Sequence, residues 1–138
     1  MLILDVCAAY EIANNSDEGR VLRSFISPNV DVVVPTHFYV EFLNVLSKYI
    51  RGGDLTYEQA LSYYDSIDSL ITKFVEPKSY AKEVLAEATK LKHPAYDMFY
   101  FVLARRYNAV LLTVDKRLAD LCAQNRVSCV HFVNDGED

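Results

Sequence analysis

The chain has 138 residues, 19 acidic against 14 basic side chains and a formal net charge of −5, with 51% hydrophobic and 24% charged residues. That length suits one domain able to bury a core without disulfide or metal staples, and the composition excludes a disordered or low-complexity chain. The acidic balance argues against a protein that coats nucleic acid through a basic surface, since phosphate neutralisation by Lys and Arg supplies most such binding.

The chain opens on "MLIL", residues 1–4, a branched apolar run that reads as a buried strand. Without a basic flank or a longer apolar stretch it is not a secretory signal, and no later stretch reaches membrane-spanning length, so a cytoplasmic protein is expected. Helical patterns follow at 6–14 and 18–27, then a strand at 32–34, "VVV". A helix over 36–51 is predicted to start with Thr36 as N-cap and to end at Gly52-Gly53. Thr56 and Gln59 form a capping box for a helix over 57–71. "KFVE" at 73–76 is a weaker strand, and a helix follows at 79–91. Pro94 begins a strongly apolar helix over 95–107, "AVLL" at 109–112 is a third buried strand, and a helix at 116–125 precedes a last strand candidate at 128–132. Strands separated by helices require crossovers, so the fold class is α/β with a mostly parallel sheet and helices on both faces. The tail at 133–138 is expected to be flexible. Cys7, Cys122 and Cys129 are odd in number and lack C-x-x-C spacing, which favours reduced thiols over a disulfide framework or zinc site.

Ligands of open parallel sheets bind outside the carboxyl ends of strands. "MLILD" and "AVLLTVD" each place an aspartate there, Asp5 directly and Asp115 two residues past Thr113. Each also suits the N-cap of the helix that follows, and the sequence leaves both roles open. Asp97 shares a helix face with Tyr100, Phe101 and Ala104. A carboxylate above that apolar stripe is partly desolvated, which is costly without a cation or hydrogen-bond donors, although the helix N-terminus offers a simpler role. Glu41 aligns with Phe38, Val45 and Lys48 on the border of another apolar stripe; pairing with Lys48 is its alternative. Acids that converge raise one another's pKa unless hard cations sit among them, so a cluster of these four points to Mg²⁺ or Mn²⁺ and to activation of water against a phosphodiester.

The ordered segments "MLILDVCAAYEIA", "VVVPTHFYVEFLNVL" and "AYDMFYFVLARRYNAVLLTVDKRL" resemble the PIN-domain ribonucleases, and within them the small VapC-type toxins of prokaryotic toxin–antitoxin pairs. The resemblance runs over roughly residues 1–132 and implies one domain there, an α/β/α sandwich around a mostly parallel sheet of about five strands. It implies that Asp5, Glu41, Asp97 and Asp115 form a catalytic, metal-binding quartet. Asp5 and Asp97 are then the direct ligands, Glu41 and Asp115 act through water or a second ion, and the Thr113 hydroxyl supports the site. The implied reaction is endonucleolytic hydrolysis of RNA by water activated by Mg²⁺ or Mn²⁺, leaving a 5′-phosphate and a 3′-hydroxyl. The implied partners are an RNA substrate, a cognate antitoxin and a second copy of the chain. Cys7 departs from the family pattern: it stands where many members carry Ser or Thr, so a hydroxyl contribution is lost there.

Asn44, one turn beyond Glu41, is placed either to orient that acid or a water, or simply on the surface. Lys116, Arg117 and Lys48 are the preferred RNA contacts; Arg51, Arg105 and Arg106 are further phosphate candidates, with a helix C-terminus the better use for at least one of the last two. Tyr96 is read as core before base-stacking, and the histidines His37, His93 and His131 show no shared ligand spacing that would support a histidine-based mechanism. Surplus apolar residues on 57–71 and 79–91 suit a dimer or antitoxin surface. A catalytically silent RNA- or protein-binding module is the rival reading. A phosphotransfer receiver or phosphatase is weakened, because no acid pair flanks a phosphorylatable Asp and no D-x-D follows "MLIL".

Overall fold

Three apolar runs without a polar face, Leu2–Leu4, Val32–Pro35 and Val110–Thr113, lie side by side as β1, β2 and β4, where helices cover both sides of the sheet. The computed structural model describes residues 1–131 and completes the sheet with β3 (Lys73–Val75) and β5 (Cys129–His131). The strand order is β3-β2-β1-β4-β5, and every pairing is parallel. The tail expected at 133–138, and Phe132 at the end of the fifth strand candidate, lie outside the described residues.

Among the described residues seven α-helices surround this sheet in an α/β/α arrangement: α1 (Val6–Asn14), α2 (Asp17–Arg23), α3 (Phe38–Arg51), α4 (Tyr57–Asp68), α5 (Ala81–Leu91), α6 (Ala95–Tyr107) and α7 (Lys116–Gln124). Helix α6 packs on β1, β2 and β4, and its Met98, Phe101, Val102 and Leu103 are fully buried. The 57–71 helix starts on the expected box, with Gln59 N–H donating to Thr56 Oγ1 at 3.1 Å and Thr56 N–H to Gln59 Oε1 at 2.8 Å.

Several boundaries differ from the sequence reading. Thr36 is not an N-cap: its N–H extends the sheet ladder to the Val75 carbonyl, its hydroxyl donates to Glu76, and α3 starts behind His37 without a side-chain cap. The 18–27 pattern yields only Asp17–Arg23, because Ser24 Oγ turns back to the Val21 carbonyl and Arg23 donates to the Ile26 carbonyl, ahead of Pro28. Likewise α4 stops at Asp68, and a 3₁₀ turn at Pro77–Tyr80 delays the start of α5. Among the described residues no helix is long and apolar enough to cross a membrane.

The connections β1 to β2 to β3 step outward in one direction, whereas β3 to β4 returns to the other side of β1. Neighbouring crossovers therefore diverge at the carboxyl ends of β1 and β4, opening a crevice there.

Helix α1, which leads out of that crevice, is fixed against α2 at Gly19, where a Cβ would lie 1.9 Å from the Glu11 carbonyl oxygen. Gly19→Ala is expected to cost about 1–3 kcal/mol or more through overpacking, read as a lower urea midpoint at unchanged m value. Gly52→Ala, whose Cβ meets nothing nearer than 3.2 Å, should shift stability by less than about 0.5 kcal/mol.

Candidate functional site

The crevice is a cavity of about 380 Å³ whose walls include Asp5, Glu41, Asp97 and Asp115. Four elements deliver these acids. Pairing of Leu4 with Leu112 brings the ends of β1 and β4 together, so Asp5 and Asp115 start α1 and α7 from adjacent strands. Glu41 comes from the first turn of α3 and Asp97 from the first turn of α6.

Both roles left open for the strand-end aspartates are present at once. Asp5 Oδ1 accepts the Ala8 N–H at 2.8 Å, and Asp115 Oδ1 accepts from Arg117 N–H and Leu118 N–H, so each caps its helix while facing the cavity. Glu41 Oε1 lies 3.0 Å from His37 Nε2 and accepts from Tyr100 at 3.5 Å. Asp97 Oδ2 lies 2.6 Å from His93 Nε2. Among the described residues, no hydrogen bond reaches the other carboxylate oxygen of Glu41, Asp97 or Asp115.

Asp5 is the most buried of the four at 5% exposure, and burial pushes its carboxyl up to about 6. Hydrogen bonds from Thr113, Ala8 and Cys7 pull it down, and the neighbouring Asp97 charge raises it further. A cation beside Asp5 would relieve both the desolvation and the repulsion. The donor set fits a hard divalent ion, being all carboxylate oxygen with uncommitted lone pairs facing one space. Among the described residues, no three His, Cys, Asp or Glu side chains stand close enough to enclose an ion by themselves, so waters must complete any coordination shell.

Cys7 brings no hydroxyl, but its thiol faces Asp5. Its Sγ donates to Asp5 Oδ1 at 3.1 Å and lies 3.6 Å from Thr113 Oγ1, so the position keeps a donor despite losing the hydroxyl. Burial and the Asp5 charge drive that thiol upward, which keeps its proton in place for the bond. Thr113 is fully buried beneath the site, and its Oγ1 accepts the Asp115 N–H at 3.1 Å. Lys48 lines the cavity. Lys116 and Arg117 flank it without lining it, and the Arg117 guanidinium is already engaged, donating to the Lys92 carbonyl at 3.2 Å. Arg105 and Arg106 lie elsewhere, tying α6 to Glu83 and Glu87 of α5, while Arg51 donates to Ser47.

Asn44 is exposed in a shallow groove that adjoins the cavity and shares Val6, Glu41 and Val45 with it. Tyr96 lines the same groove at 71% exposure, which overturns its placement in the core: it stands in the first turn of α6, whose buried residues begin only at Met98. Two features escaped the sequence reading. Glu11 is a fifth acid on the cavity wall, detectable from the helical spacing of Cys7, Tyr10 and Glu11 on one face of α1. The other is the pair of His-acid contacts, His37 with Glu41 and His93 with Asp97, each at a spacing of four.

A family model described as PIN domain matches residues 2–124. Comparison with curated proteins finds no match. Among solved structures, the fold is similar to PAE2754 from Pyrobaculum aerophilum at a TM-score of 0.73 and 22% identity, covering 94% of this chain and 87% of that one. It is also similar to a chain of VapBC2 from Rickettsia felis, crystallised bound to a DNA fragment from their promoter, at a TM-score of 0.68 and 16% identity, covering 96% of this chain and 98% of that one.

The raised Asp5 carboxyl makes stability depend on pH. In the unfolded chain it ionises near 3.8 and in the folded chain near 6, so the folded state holds the extra proton between these values. Stability therefore falls as pH rises through that window, by on the order of 3 kcal/mol once both states are ionised. Asp5→Asn, which keeps a cap acceptor, should stabilise the metal-free protein by about 1–3 kcal/mol at neutral pH, with the gain vanishing below about pH 4. Urea denaturation across that range, in chelator, measures it.

Proposed function

The chain belongs to the PIN-domain family, and from that premise we propose that it is a divalent-metal-dependent endoribonuclease acting as the toxin of a type II toxin–antitoxin pair. The observation that carries this reading is the convergence of Asp5, Glu41, Asp97 and Asp115 on one cavity at the carboxyl ends of β1 and β4. Such an arrangement suits a phosphodiester better than an uncharged substrate. It also accounts for how a chain of net charge −5 can handle a polyanion.

In this reading Asp5 and Asp97 hold Mg²⁺ or Mn²⁺ directly, while Glu41 and Asp115 hold its waters or a second ion. When bound, the ion supplies Lewis-acid polarisation of the phosphate and a more acidic water. The chain's own residues do the rest. Asp115 and Asp5 are locked by their cap hydrogen bonds, Thr113 fixes the start of α7, and Cys7 holds Asp5 from below. Lys48, at the cavity wall, meets the phosphate as a flexible point charge. Water adds at phosphorus as the bond to the 3′ oxygen breaks, the departing oxygen takes a proton, and the phosphate stays on the 5′ side.

Tyr96 offers a stacking face for a base beside the scissile phosphate, with the Asn44 amide in reach of the same groove. Single-stranded RNA is the substrate class this favours, because only unstacked bases present their faces. On the outer surface of α3 and α4, Leu43, Tyr57, Leu61 and Tyr64 line an apolar groove that suits an antitoxin segment or a second copy of the chain.

Purified, partner-free protein should cleave single-stranded RNA with Mg²⁺ or Mn²⁺ and stop in EDTA. Asp5→Asn and Asp97→Asn should each lose more than about a hundred-fold in rate. Tyr96→Ala should leave Mn²⁺ binding unchanged while raising KM about 5- to 100-fold, the worth of one stacked base. Cleavage that persists in EDTA overturns the metal site, and failure to cut any RNA favours a silent binding module.

A further inference from the structure

His93 stands at the turn between α5 and α6, and three backbone-level contacts pin it there. Lys92 takes a left-handed conformation at φ 52°, its N–H and that of His93 both return to the Ala88 carbonyl, and the Lys92 carbonyl accepts from the Arg117 guanidinium at 3.2 Å. The imidazole is packed away from solvent, its side chain 2% exposed, and Nε2 reaches Asp97 Oδ2 at 2.6 Å. Nδ1 is buried with no hydrogen-bond partner among the described residues. A histidine serving only the core has no reason to leave one nitrogen orphaned and aim the other at a carboxylate on a cavity wall. Pairing a donor with that acceptor requires the proton on Nε2.

The contact also divides the labour of the Asp97 carboxylate. Oδ2 is occupied by the imidazole, whereas Oδ1 accepts no hydrogen bond among the described residues. Asp97 itself is about one-third exposed and, lying outside the helix-capping geometry that locks Asp5 and Asp115, has no other side-chain anchor among the described residues. Held at one oxygen by a rigid buried ring, it presents the other in one orientation. Its counterpart on α3, His37 beside Glu41, is looser: the side chain is one-quarter exposed and its Nε2 contact misses hydrogen-bond geometry.

The geometry points to His93 as the positioning residue of the metal site, donating from Nε2 to Asp97 Oδ2 so that Oδ1 is pre-aimed at a divalent cation. This rests on the metal-site reading given under the proposed function. Outer-shell partners that orient a ligand in this way change metal affinity without touching the ion.

Mn²⁺ titration calorimetry on the full chain without RNA tests it, beside thermal unfolding of the metal-free protein. His93→Leu fills the space without a donor and should raise the Mn²⁺ Kd about 10- to 100-fold, with no loss of metal-free thermal stability. His93→Gln places an amide N–H near the position of Nε2 and should restore the Kd to within about threefold of wild type. A His93→Leu protein that binds Mn²⁺ like wild type, or a His93→Gln protein as weak as His93→Leu, overturns the positioning role alone. Wild type that binds no Mn²⁺, or Asp97→Asn that binds it equally well, overturns the metal-site reading and this inference with it.

Discussion

The parallel pairing of β1 with β4 sets Leu4 beside Leu112, and the Asp5 N–H still reaches the Leu112 carbonyl at 3.4 Å as the chain leaves the sheet. Strands in a sheet lie about 4.8 Å apart, so this one register brings two exits, each carrying an aspartate, within a side chain's reach. The remaining acids depend on it. Helix α6 lays its buried face on β1, β2 and β4, which fixes where its first turn and Asp97 fall, and α3 follows β2 directly and delivers Glu41 from that side.

Four acids of the cavity are held by something that would be satisfied without a ligand: cap N–H groups for Asp5 and Asp115, His93 for Asp97 and the Tyr100 hydroxyl for Glu41. Those contacts commit one oxygen of each side chain and limit its rotation, which lowers the entropy lost on binding. Burial works against ionisation of Asp5 at the same time, so the metal-free protein carries an unfavourable charge at neutral pH. Function and stability are opposed at that residue, and the surrounding donors reduce the penalty without removing it.

Much of this was legible in sequence. Branched runs at 1–4, 32–34 and 109–112 marked the central strands, and the strand-end aspartates and helical stripes marked the acids. The three histidines share no ligand spacing with one another, and the four-residue spacing of His37 to Glu41 and His93 to Asp97 becomes a contact only once a helix starts between the two residues of each pair. An aromatic residue on an apolar helix reads as core because its ring buries a large area, yet Tyr96 sits in the first turn of α6, ahead of the residues that are buried. At Cys7 the residue type tells that a hydroxyl is absent, whereas only the fold tells that the sulfur lies against a carboxylate and donates to it.

Sequence by itself determined the elements, their order and the chemistry available at each strand end, because these follow from local periodicity, capping and the need to bury apolar runs. Tertiary structure alone decided which acids share a cavity and which oxygen of each remains uncommitted. It also decided that Arg105 and Arg106 serve α5 while Lys48 faces the crevice. The reason is physical: strand order and register are set by the summed packing of the whole sheet. A pattern within one helix can report which face is apolar, but carries no information about what stands opposite it.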